Sequence, residues 1–427
     1  MYLEQKNTKI LLALFVLSLS IRLVALWILP PSHLGTNAEI AYLGGARLIV
    51  EGEGFSDPSY PVFTPPLYSM FISANLYLFG DDQISVKISQ ALADSLTVVI
   101  VFLIIDITFG STTALLSSVF LSVYPFLIYP VTYIGTETFF TLFLSIFVLL
   151  NLYAVNCGNW RYYCAAGFTL GVATLIRGTT QFYPVFFLLT LWAMGRLDRR
   201  IFGRFLAFCL FFILTILPWT VRNYIVLDDF IPVATAGSVF LQGSSEEFFT
   251  ISGKTSQYPK YFALLRSRGI DQPLSGAKPS EKDRFLIKAG LEKYKMRIEN
   301  EPLSIFPFML QKFFRLWYAT ESGRNHGIIV AVNISIYVLA LTGLILVLLR
   351  REELALLVLS MISYFVTLHW ISLPLFRYMV PVMPYVIAFA AFAVVAIGER
   401  FTLSHPEATS SGRYGDVNRT KPCATEN

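Results

Sequence analysis

The ionisable residues of this 427-residue chain are few, since only 14% of it is Asp, Glu, Lys or Arg, and they gather in particular places. A stretch between residues 30 and 91 holds Glu39, Glu51, Glu53, Asp57, Asp81 and Asp82 beside a proline-rich run from Pro58 to Pro66. Three arginines close apolar segments farther on: Arg177 in TLIRGTTQFYP, Arg222 in LPWTVRNY and Arg377, followed by Tyr378, in SLPLFRYMVPVMPY. Guanidinium stays charged and presents a planar fork of donors, so several arginines at one depth suit a lipid phosphate headgroup. Glu39 stands apart from the other acids because it follows the first apolar segment closely. A short helix there, with Tyr42, Leu43 and Ala46 turned toward the bilayer, would partly desolvate its carboxylate and favour general-base behaviour. The blander readings are solvated surface carboxylates and arginines snorkelling to an interface.

The elements that position these groups follow from hydropathy. The chain is 55% hydrophobic with mean hydropathy +0.61. A helix crossing ~30 Å of hydrocarbon needs about 20 apolar residues, and runs of that kind recur along the sequence. Lipid-exposed backbone must satisfy its own hydrogen bonds, which makes the spans helical, and continuous apolar runs are unlike the alternating strands of an outer-membrane barrel. The reading is an all-α polytopic membrane protein of about ten transmembrane helices. The spans lie near residues 10–29, 92–109, 113–134, 138–156, 162–176, 180–195, 203–221, 328–349, 354–372 and 379–397.

Lys6, Lys9, Arg161, Arg196, Arg199, Arg200, Arg204, Arg350 and Arg351 fall on one side of these spans, which the positive-inside rule makes cytoplasmic. Both termini then lie in the cytoplasm, and the apolar N-terminal run, followed by Pro30 and Pro31 without a small-residue cleavage site, is a retained first span. Residues 1–221 form an N-terminal membrane module of seven spans with an extracytoplasmic loop at 30–91. Residues 222–327 form a small extracytoplasmic α or α/β domain between spans seven and eight, 328–402 a three-span module, and 403–427 a disordered cytoplasmic tail. Within the soluble segment, EKDRFLIKAGLEKYKMRIEN has the pattern of an amphipathic surface helix.

The net charge of +5 resides mostly in short cytoplasmic loops and implies no nucleic-acid partner. Four cysteines lack metal-ligand spacing, and His33, His326 and His369 are scattered, which favours structural roles over a metal site. Asp94 and Glu137 read as anions near extracytoplasmic helix N-termini, where the helix dipole favours them.

In order along the chain, AEIAYLGGARLIVEGEGFS, PPLYSMFISANLYLFG, YIGTETFF, ATLIRGTTQFYP, ILPWTVRNYIVLDDFIPVATAG and FRYMVPVMPY resemble the GT-C glycosyltransferases. The resemblance is to the bacterial relatives of the dolichyl-phosphate-mannose protein mannosyltransferases and of the lipid A aminoarabinose transferase, and it runs over most of residues 10–397. It implies transfer of a sugar from a polyprenyl-phosphate donor to a hydroxyl on a lipid, glycan or protein at the extracytoplasmic face of the cytoplasmic (inner) membrane, with inversion. It implies Glu39 or Asp57 as the catalytic carboxylate, and Arg177, Arg222, Arg377 and Tyr378 as the donor-phosphate site. It names no particular cofactor, and a divalent metal is left open. One departure stands out: many relatives carry an Asp-Glu pair after the first span, and here Ala38 precedes Glu39. Two other classes compete: a secondary transporter or lipid flippase, which would place ionisable groups at the bilayer midplane, and a noncatalytic lipid-linked-glycan binding or assembly subunit.

Overall fold

A computed structural model describes residues 2–29, 37–56, 63–250, 263, 276–321 and 323–404. Among them every regular element is helical and there is no strand. The membrane part of the chain comprises α1 (Tyr2–Ile28), α2 (Asn37–Val50), α3 (Pro66–Phe79), α4 (Gln83–Phe109), α5 (Ser111–Val123), α6 (Pro125–Ile128), α7 (Glu137–Cys157), α8 (Trp160–Ile176), α9 (Tyr183–Ala193) and α10 (Arg199–Leu227). After these come α11 (Gly237–Gly243), α12 (Glu246–Thr250), α13 (Pro279–Asn300) and α14 (Ile305–Arg315). The chain returns through α15 (His326–Arg350), α16 (Ala355–Ile371), the single turn α17 (Phe376–Met379) and α18 (Met383–Ser404).

Six helices among the described residues are long and apolar enough to cross a membrane, and a seventh span arises if α5 and the bent segment Pro125–Thr132 are one. The chain is therefore a multi-pass membrane protein. Each of the ten segments anticipated from hydropathy is helical, but three of them are short. At about 1.5 Å per residue, α9 reaches roughly 17 Å, and α8 and α16 about 26 Å, less than the ~30 Å hydrocarbon thickness. Glycine and proline punctuation cuts these helices, which composition over a window does not register.

Close approach of backbones holds the bundle. A Cβ at Gly167 of α8 would stand 2.1 Å from the Phe208 carbonyl oxygen of α10, and one at Gly171 would stand 2.6 Å from Thr215. These two glycines, four residues apart, form the small-xxx-small face that lets membrane helices touch where hydrophobic burial gives no drive. Gly343 plays the same part where α15 crosses α18, facing the Phe389 carbonyl. Buried rings fill the space between helices, with Phe147 edge-on to Tyr183 and Tyr183 edge-on to Tyr364.

Two buried polar clamps add specificity. Arg22, deep in α1, donates to Asp94 at 2.6 Å and to the Ser122 carbonyl at 2.8 Å. Tyr124 donates to Asn333 at 2.6 Å. Asp94 thus differs from its reading as a helix-terminus anion: α4 begins at Gln83, with Asp82 capping it through Ile84 N, and Asp94 is an interior residue neutralised by Arg22.

The regular elements among the described residues of 222–327 are helices, and the anticipated amphipathic helix is α13. Its neighbour α14 is inside out for a soluble protein: Lys312 and Arg315 are buried, whereas Phe306 and Phe314 are exposed. Apolar side chains outward suit contact with hydrocarbon. The anticipated disordered tail lies outside the described residues from position 405 onward.

Candidate functional site

The site forms where the ends of four segments meet. Glu137 is the first residue of α7, where unpaired N–H groups favour an anion. Arg177 ends α8 in an extended conformation, so its side chain leaves the helix axis at the helix mouth. Arg377 and Tyr378 occupy α17, a turn isolated between Pro374 and Pro381 and fixed by Phe376 N donating to the Ala319 carbonyl at 2.8 Å. Glu321 comes from the connection between α14 and α15.

Arg377 Nε donates to Glu137 Oε1, and Arg377 Nη1 donates to Glu321 Oε1 at 3.2 Å. Arg177 Nη1 stands 3.8 Å from the same Glu137 oxygen, an ion pair without a hydrogen bond. The Arg177 guanidinium lies 4.8 Å over the Tyr378 ring, and Tyr378 stacks on His369 at 4.8 Å with 20° between planes. Glu137 is 1% exposed. Two guanidinium groups therefore face two carboxylates in a largely desolvated space, where charge-charge interactions are much stronger than in water.

Several buried polar atoms of this cluster make no hydrogen bond among the described residues: Glu137 Oε2, Arg177 Nη1 and both ring nitrogens of His369. Each such atom costs about 1–3 kcal/mol unless a partner arrives. The cluster is thus built with unfilled hydrogen-bonding capacity.

The remaining anticipated residues take other positions. Glu39 lies in the first turn of α2, buried, and close enough to Lys87 of α4 for their charges to interact. Its neighbours Tyr42 and Ala46 turn into the protein core beside Tyr68 and Ile72, not toward the bilayer as anticipated. The reason is α3, which packs against α2 and covers that face. Arg222 donates through Nε to the Phe55 carbonyl at 2.6 Å and through Nη1 to Asn223 at 3.1 Å, with its guanidinium 4.9 Å over Trp219. It ties the middle of the first loop to α10. Asp57 and His33 lie outside the described residues. His326 Nε2 accepts from Thr320 N at 3.2 Å. Among the described residues no three His, Cys, Asp or Glu side chains are grouped as a metal site would require.

Lys87, Glu321 and His369 were not singled out as site residues by sequence. Lys87 offered a signal, a lone lysine inside the otherwise apolar-periodic run QISVKISQALADSL.

Over most of its length the chain shares the fold of a solved archaeal oligosaccharyltransferase. Residues 64–220 match the family of dolichyl-phosphate-mannose-protein mannosyltransferases. The apo oligosaccharyltransferase of Archaeoglobus fulgidus superposes with a TM-score of 0.58 at 14% identity, covering 93% of this chain and 51% of that one. The same archaeal oligosaccharyltransferase, AglB, in complex with an inhibitory peptide and a dolichol-phosphate gives 0.58 at 15% identity, covering 98% and 54%. ArnT of Cupriavidus metallidurans bound to undecaprenyl phosphate gives 0.43 at 16% identity, covering 92% and 80%. The chain spans about half the length of the oligosaccharyltransferase. No curated protein sequence matches it. The family match and the shared fold bear out the resemblance drawn from the ordered motifs.

Proposed function

We propose that this chain is a glycosyltransferase that moves a sugar from a polyprenyl-phosphate donor to a hydroxyl acceptor on a lipid, glycan or protein. The observation that carries the reading is the meeting of Arg177 and Arg377, from two distant parts of the chain, at the mouth of α7 beside Tyr378. In this reading the ten apolar segments lie in the cytoplasmic membrane, the short α8, α9 and α16 packed among the longer spans, both termini are cytoplasmic, and the site opens to the extracytoplasmic face under residues 30–91 and 222–327.

The acceptor oxygen attacks the anomeric carbon as the bond from that carbon to the phosphate oxygen breaks, with inversion. The acceptor proton passes to the Glu39 carboxylate, or to Asp57, and the phosphate departs with the bonding pair. Arg177 Nη1, which donates no hydrogen bond among the described residues, is available to a phosphate oxygen, and Arg222 adds positive charge at the first loop. Preorganised donors of this kind lower a barrier because they need no reorientation as charge develops.

Ala38, standing where many relatives have an acid, favours a second reading, a noncatalytic subunit that binds lipid-linked glycan. Purified full-length protein given labelled polyprenyl-phosphate sugars separates the two. Release of unsugared polyprenyl phosphate with label on an acceptor supports the transferase. Saturable binding of a donor without transfer to any of a broad acceptor panel supports the subunit.

A further inference from the structure

The unfilled polar atoms at the mouth of α7 are not all of the kind a phosphate needs. Phosphate oxygens accept hydrogen bonds, and of the unpartnered groups only Arg177 Nη1 is purely a donor. Glu137 Oε2 is an acceptor, and a neutral imidazole offers one donor and one acceptor. A carboxylate oxygen would repel a phosphate and welcome a hydroxyl. The charges also balance, because Arg177 and Arg377 already face Glu137 and Glu321. The groups are contiguous: Arg177 pairs with Glu137, lies over Tyr378, and Tyr378 stacks on His369. His369 is 6% exposed, and nothing among the described residues hydrogen-bonds either of its nitrogens.

We infer that His369 and Glu137 Oε2 form a subsite for the hydroxyl groups of the sugar carried by the donor, adjacent to the phosphate position at Arg177. The inference rests on the glycosyl-transfer reading. A sugar hydroxyl donates to Glu137 Oε2 and a second hydroxyl exchanges hydrogen bonds with the His369 ring, while Tyr378 holds that ring from one face and Phe365 packs against it 5.9 Å away. His369 is thereby a specificity-determining residue. A site built to hydrogen-bond a hydroxyl rejects ligands that lack it, because its own buried groups are then left unpaired.

The test compares two ligands on the full-length protein in lipid nanodiscs: a polyprenyl phosphate without sugar and the same polyprenyl phosphate carrying a hexose. His369→Phe keeps a ring against Tyr378 and Phe365 and removes both nitrogens; His369→Gln keeps one donor and one acceptor. The expected result is that His369→Phe binds the unsugared lipid within about twofold of wild type and loses about tenfold for the sugared one. His369→Gln should recover most of that loss, which a packing role would not produce. An unchanged preference for the sugared lipid in His369→Phe, or an equal loss for both lipids, overturns the subsite while leaving the donor reading intact. Wild-type protein that binds neither lipid removes the donor reading and the subsite with it.

Discussion

Arg377 and Glu137, 240 positions apart, share a charge-assisted hydrogen bond that closes the start of α7 onto the turn before α18. A lone lysine at 377 retains the charge but cannot reach Glu137 and Glu321 together in the planar geometry. Arg377→Lys should therefore keep normal abundance in the membrane and lose about 10²–10³ in turnover, the cost of one mispositioned donor to a developing anion. Turnover per folded protein, with abundance measured by immunoblot, checks this. Equal turnover would show that position 377 is only structural.

Glu39 is the described carboxylate nearest the role of base, buried in the first turn of α2 within electrostatic reach of Lys87. Glu39→Gln preserves the shape and removes proton acceptance. Transfer should fall about 10²–10⁴-fold while donor binding stays near wild type. A variant that still turns over at the normal rate would move the base elsewhere, with Asp57 next in line.

Lys312 of α14 is fully buried, donating to the Ile371 carbonyl at 2.8 Å and to the Tyr294 hydroxyl at 2.5 Å. Burial pushes its ammonium well below the ordinary lysine range, to about 7. Between pH 7 and the ordinary lysine range near 10, the unfolded chain holds a proton that the folded chain has released, so stability rises with pH across that window. Melting temperature in detergent should climb from pH 7 to 9, and Lys312→Met should flatten that climb. A wild-type curve that falls over the same interval contradicts the assignment.

Gly167 has no room for a methyl group against the Phe208 carbonyl, whereas Gly44 has nothing within 4 Å of its Cβ position. Gly167→Ala should separate α8 from α10 and destabilise by about 1–3 kcal/mol. Gly44→Ala should be neutral or slightly stabilising, because it lies inside α2. Thermal unfolding of the two variants side by side checks the pair.

Much of the helical architecture was legible because apolar length is a local property of sequence. Arg177 and Arg377 were legible for the same reason, as arginines that close apolar segments. Their common partner was not: Glu137 was recognised as a helix-start anion, but its pairing to Arg377 depends on how α7 and α17 meet, which no window of residues reports. Arg22 and Asp94 show the same limit, since their pairing spans 72 positions and Asp94 turned out to be interior to α4. His369 sits in an apolar helix with no neighbouring signal, and only the stack on Tyr378 brings it to the site.

The central claim is sugar transfer from a polyprenyl-phosphate donor at the arginine cluster. Its most direct measurement is the appearance of free polyprenyl phosphate when the purified chain, in nanodiscs, receives a panel of labelled polyprenyl-phosphate sugars and hydroxyl acceptors. The account predicts release with at least one donor, matched by label on an acceptor and suppressed in Arg377→Lys. Folded protein that neither binds nor consumes any donor in the panel would contradict it.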